Sequence, residues 1–173
     1  HGGALLQLHT GSDTFVRPSM GSWVTYGLGS ENQNLPGFVT VCPTLGHGGV
    51  GNWSSAFLPA EFQGTPIGHS GINAKDAAVH DLKPGSPAAR QRAQLDLLAQ
   101  MQADRPDPAL DARIASFELA FRMQTEAPAV MDLSGETKET LDLYGVGAEP
   151  TDNFGRQCLL ARRFAEAGVR FVQ

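Results

Sequence analysis

The chain has two cysteines, no CxxC pair and no Cys/His cluster, so no zinc-site pattern is present. It contains no run of 18 apolar residues, which excludes a transmembrane helix. Charged residues make up only 18%, and the basic ones are scattered, so there is no nucleic-acid footprint. No phosphate loop of the GxxxxGK[ST] kind, no HExxH helix and no Ser-His-Asp order stands out. Internal repeats, heptad arrays and low-complexity tails are missing as well. No signal peptide is visible, and an opening at His1 without Met reads as processed, trimmed or excerpted.

What is abundant is glycine, with 20 residues, together with 11 prolines. That composition implies long irregular connections. The apolar fraction of 41% and a length of 173 residues suffice for one domain with a real core, and the net charge is −5.

Three segments follow one another. Residues 1–42 read as helix, helix, strand. Ala4, Leu5 and Leu8 give the first helix an apolar face, and Thr10-Gly11-Ser12-Asp13 stops it. Arg17-Pro18-Ser19 opens a second helix over Met20 to Leu28, with Ser19 as its cap and Gly27 and Gly29 at its end. Gly37 to Cys42 is a short buried strand. Residues 43–85 form an irregular, glycine-rich loop region. Residues 86–173 form a helical segment ending in a strand. Ser86-Pro87 starts one helix that runs to about Ala103. Asp107-Pro108 starts another, with a stripe of Leu110, Ile114, Phe117 and Phe121 and a stop at Pro128. A shorter helix spans Ser134 to Tyr144. In the last helix Phe154, Cys158, Ala161 and Ala165 recur on one face. Gly168 closes that helix, and Val169 to Val172 has the β-branched and aromatic character of a strand.

This order predicts an α/β fold with a mostly parallel sheet. Ligands in such folds collect at the carboxyl ends of the strands. Because the chain stops as a strand begins, it is expected to be a single partial domain carrying part of a site. Cys42 and Cys158 read as buried free thiols, with a Cys42–Cys158 disulfide as the alternative.

The segment Gly46-His47-Gly48-Gly49-Val50-Gly51-Asn52-Trp53 is the best candidate site on residue chemistry alone. Successive glycines let backbone N–H groups approach an oxyanion. His47 and Asn52 add side-chain donors, and Trp53 could stack on an organic group. The rival reading is a surface loop. Arg17 reads as a salt-bridge partner, His69 and His80 as surface residues, and Arg156, Arg162 and Arg163 as a solvated helix face.

Several long motifs resemble the DUF1501 family. They are His1-Gly-Gly-Ala-Leu-Leu-Gln-Leu-His-Thr-Gly11, Arg17-Pro-Ser-Met-Gly-Ser-Trp-Val-Thr-Tyr-Gly-Leu-Gly29 and Glu31-Asn-Gln-Asn-Leu-Pro-Gly-Phe38. Asn52-Trp-Ser-Ser-Ala-Phe-Leu-Pro59, Ala112 to Gln124 and Phe154 to Arg163 belong to the same resemblance. DUF1501 is a bacterial, sulfatase-like branch of the alkaline phosphatase superfamily. The resemblance implies a three-layer sandwich and a metal-dependent hydrolase of sulfate or phosphate esters. Its substrate would be a small-molecule or glycan ester. Its cofactor would be a divalent metal, Zn, Ca or Mg, and its location periplasmic or extracellular. Family members carry an earlier acidic metal-binding stretch and a later Trp-Asp-x-His-like motif, neither of which lies within residues 1–173.

Sulfatases open a helix with Cys-x-Pro-Ser-Arg-x-x-Leu-x-Thr-Gly. Counting back from Thr10-Gly11 sets His1 at the nucleophile position, as a catalytic residue or metal ligand at a helix N-terminus that faces an anion. That residue is neither Cys nor Ser, which does not suit formylglycine chemistry. The same departure favours the second reading, a non-catalytic binding or structural module on an alkaline-phosphatase-like fold.

Overall fold

A computed structural model describes residues 1–103 and 107–173. The described residues include the α-helices α1 Gly2–Thr10, α2 Met20–Leu28, α3 Ala88–Ala103, α4 Pro108–Met131, α5 Lys138–Leu143 and α6 Asp152–Glu166. Three strands, β1 Phe38–Val41, β2 Thr65–Ile67 and β3 Phe171–Val172, form one parallel sheet in the order β2-β1-β3. Val39 pairs with Thr65 on one side, and Phe38 pairs with Phe171 on the other. The fold is thus mixed helix and strand around a small parallel sheet, as an α/β class requires.

Successive strand residues face opposite sides of a sheet. Phe38 meets Phe171 edge-on at 5.2 Å beneath Gly21 of α2. Val39 instead joins Leu35, Ile67, Ala127, Phe164 and Val169 in the main core. Helix α2 therefore covers one face, while α6 and the end of α4 cover the other. Helix α2 lies unusually on its face. It buries Gly21, Ser22 and Thr25 and turns Met20, Trp23, Tyr26 and Leu28 outward. Trp23 packs edge-to-face on Tyr26 and Phe57, and Tyr26 does so on Phe62.

Several local expectations hold. Ser19 caps α2 by accepting the Ser22 N–H, and Gly29 ends it at φ 68°. Gly168 takes φ 89° beyond α6.

Others need correction. Strand β2 lies inside the region read as irregular. Pro66 argues against a strand by pattern, yet β2 lies at the end of the strand order, where among the described residues its outer side meets only the isolated bridge of Ile67 to Val79, and such an edge tolerates proline. Helix α4 does not stop at Pro128 but continues to Met131. The Arg163 guanidinium reaches across from α6 and donates to the carbonyls of Ala129 and Val130, supporting the turn beyond the proline. Ser134 to Tyr144 is not one helix: a 3₁₀ turn over Leu133–Gly135 precedes α5.

The stripe on α6 is one residue out of phase. Gly155, Leu159, Leu160 and Phe164 are buried, while Phe154 is 70% exposed. The interior phase was hidden because Gly155 counts as featureless and its i+7 position is Arg162. Phe117 on α4 is 47% exposed, so the stripe read there is only partly interior. Arg162 and Arg163 are also not a free solvated face. Both grip Glu136, whose side chain is 8% exposed, and hold its carboxyl below the usual carboxylate range. Both thiols are free, Cys42 buried and Cys158 half-buried.

Candidate functional site

The sheet runs β2-β1-β3, so consecutive strands leave β1 in opposite directions. The crevice outside the carboxyl ends of β1 and β3 is therefore the topological switch point, where open α/β sheets bind ligands. The chain leaving β1 starts from that carboxyl edge, beside the chain leaving β2, where the Ser70 N–H donates to the Pro43 carbonyl. Three non-glycine residues of this segment, Cys42, His47 and Ala56, hold φ of 48°, 48° and 49°. Left-handed backbone at such residues is strained, and strain of this kind gathers at functional loops. The Cys42 thiol is pushed above its ordinary pKa by burial.

Helix α1 closes the corner. Its nine residues follow the cap residue His1, which makes no side-chain capping bond, and its first turn carries no acidic residue. Among the described residues no side chain hydrogen-bonds the first N–H groups of the helix, at the positive end of its dipole, and the Asp13 carboxylate lies against Gly3 in the same turn. The glycine turn after β1 packs directly on this helix. A Cβ on Gly2 would sit 3.3 Å from His47 Cα, and one on Gly48 would sit 2.6 Å from Leu6 Cγ. Glycine is required at Gly48, where φ is 98°, while at Gly2 a side chain fits only if the His47 backbone gives by a few tenths of an ångström. The outcome is that the His1 and His47 rings stand edge-to-face with centroids 6.3 Å apart, both exposed.

Asn52 and Trp53 occupy different roles from this pair. Asn52 is 2% exposed, and its amide N–H groups donate to the carbonyls of His47 and Gly49, each at 3.1 Å. Its Oδ1 is buried with no hydrogen-bond partner among the described residues. Asn52 therefore holds the turn in shape from below. Trp53 is also 2% exposed, so its ring is core and offers no stacking face. Asn52→Ala is expected to cost about 1–2 kcal/mol, since two buried bonds are lost. Chemical denaturation would measure it, and amide exchange at Gly48 and Gly49 would show whether the turn loosens.

His9 lies at the far end of α1 with a buried Nδ1 that has no partner among the described residues, and burial lowers its pKa. The folded state resists a proton that the unfolded chain accepts near pH 6.5. Stability is therefore expected to fall as pH drops below about 6.5. A thermal melt series across that range would show it, and His9→Gln should flatten the slope. Arg17 forms no ion pair among the described residues; its guanidinium lies 5.6 Å from the Phe15 ring centroid. His80 is exposed, and His69 is half-buried and accepts the Gly71 N–H.

Among the described residues no three His, Cys, Asp or Glu side chains converge on a metal position. His1 and His47 supply two imidazoles, fewer than the three protein ligands of a catalytic zinc site. These residues do not make a metal centre by themselves.

Residue patterns foreshadowed His47 and its glycines. The strained Cys42 and the supporting role of Asn52 carried no sequence signal, because both depend on where the chain turns after β1.

No curated protein and no solved structure matches the chain. A family model described as "Protein of unknown function (DUF1501)" matches residues 1–173. The chain accordingly belongs to the DUF1501 family.

Proposed function

We propose that the corner formed by His1, His47 and the start of α1 receives the anionic end of a sulfate or phosphate ester, in a sulfatase-like hydrolase on an alkaline-phosphatase-type three-layer fold. The observation that carries this reading is the pair of exposed imidazoles of His1 and His47 beside the first turn of α1, whose N–H groups no side chain caps among the described residues. Helix N–H groups bind oxyanions through their dipoles and free hydrogens. An imidazole within reach of the ester's bridging oxygen can donate a proton to the departing alkoxide. His1 and His47 take those binding and proton-transfer roles, and Asn52 fixes the turn that presents His47. A divalent ion such as Zn, Ca or Mg belongs to the wider resemblance. It would polarise the ester oxygen, and the two imidazoles of this corner are fewer ligands than such an ion needs. The substrate's organic part would be a small molecule or a glycan, and the location periplasmic or extracellular.

The test is a panel of aryl sulfate and aryl phosphate esters, run with and without chelator alongside a metal determination. His1→Ala and His47→Ala are each expected to lower kcat/KM by about 10²–10⁴-fold, the range of a lost general acid. A folded protein that turns over neither ester class would sink the hydrolase reading and leave the non-catalytic binding module. Turnover unchanged by both substitutions would move the chemistry away from this corner.

A further inference from the structure

A cavity of about 400 Å³ lies where the end of α4, α5, α6 and the 3₁₀ turn Ala74–Asp76 meet. It shares no lining residue with the His1–His47 corner. Its floor is apolar, built from Met131, Leu141, Val146 and Leu160, the last 3% exposed. Its rim carries Lys75, Asp132 and Arg156. Small-molecule sites combine such a floor with a few placed polar groups, in volumes of this order.

The rim charges are not equally available. Arg156 Nε donates to both oxygens of Asp152, at 3.0 and 3.1 Å. Asp152 Oδ1 also accepts the Gly147 N–H at 2.6 Å. Asp132 Oδ1 accepts the Ser134 N–H at 2.9 Å and so caps that 3₁₀ turn. Both carboxyls are held below the usual range by these bonds. Lys75 differs. Its ammonium has no hydrogen bond and no ion pair among the described residues, and it acts on Asp152 only through space. The cavity therefore offers one uncommitted cation above an apolar floor, beside two carboxylates that would repel a polyanion.

We infer that this cavity binds a compact organic monoanion, a carboxylate with an apolar body, its head on Lys75 and its body on Leu141, Val146 and Leu160. A dianionic phosphate or a nucleotide does not suit it, because the rim has a single free positive charge.

The experiment uses octanoate as the probe, with octanol and octylamine as matched controls. Binding is followed by calorimetry and by amide shifts in a nitrogen-15 correlation spectrum. Octanoate is expected to bind about tenfold more tightly than octanol, a difference of about 1.4 kcal/mol. Shifts should centre on residues 74–77, 131–134, 141–146 and 156–160. Lys75→Gln should bring octanoate down to octanol, and Lys75→Arg should restore the difference. Lys75 is exposed, so neither variant threatens the fold. Equal affinities for octanoate and octanol, tighter octylamine, shifts centred elsewhere, or no binding at millimolar octanoate would each overturn the inference. Hydrolase activity does not enter the readout, so failure here and failure of the ester-hydrolase reading are separate results.

Discussion

Gly155→Ala is expected to destabilise the protein by about 3 kcal/mol or more, although alanine is the better helix former. In a helix interior the exchange is worth up to about 1 kcal/mol in alanine's favour. Here the added Cβ would lie 2.0 Å from the Tyr144 carbonyl oxygen and 3.1 Å from its carbon. Those atoms are backbone, so no rotamer change relieves the contact; α6 must move off the end of α5. Overpacking of that kind costs about 1–3 kcal/mol in ordinary cores, and more when backbone is the obstacle. The movement also pulls on Arg162 and Arg163, which hold Glu136 from the same helix. Gly27→Ala is the matched control, because nothing lies within 4 Å of its added Cβ. That exchange should be neutral or gain up to about 1 kcal/mol. Urea denaturation of both variants decides it, and equal losses at the two sites would refute the packing account.

Phe164→Ala should cost about 3–5 kcal/mol, the range for deleting a fully buried aromatic side chain. Phe164 is 1% exposed and packs with Leu35, Val39, Ile67, Ala127 and Val169, so it joins β1, β2 and α4 to α6. The Val169 N–H also donates to the Phe164 carbonyl, which sets the turn leading into β3. Domains are stable by only about 5–15 kcal/mol, so this one truncation consumes a large part of the margin. The expected observation is a lower urea midpoint with an unchanged slope. A midpoint within error of the parent would mean that the cluster is not the core.

The parts legible in the sequence are those that local chemistry decides. The Ser19 cap, Gly29 and Gly168 announce helix ends, because a side-chain acceptor or a positive φ is needed at one residue. Strand β1 is legible from its apolar run, and the His47 turn from its glycines. What depends on distant partners was not. Pro128 looks like a stop until Arg163 reaches across to the carbonyls beyond it. The face of α6 that turns inward is chosen by a glycine fitting against Tyr144, which has no hydrophobic signature. Asn52 and Trp53 looked like ligand contacts because polar and aromatic residues in a glycine-rich loop suggest a surface. Their burial follows from how that loop packs on α1 and α2, which residue types alone do not show.

The reversed face of α2 gives this protein two optically distinct tryptophans. Trp53 is sealed in the interior at 2% exposure, and Trp23 stands at 46% on the outer aromatic ledge. Iodide in solution is expected to reach the second and not the first, dividing native fluorescence into a quenchable red-shifted part and a protected blue part. Unfolding erases the division, since both indoles then see the same water. The protected fraction therefore reports the integrity of the loop after β1, while the quenchable fraction reports anything that comes to rest on the ledge.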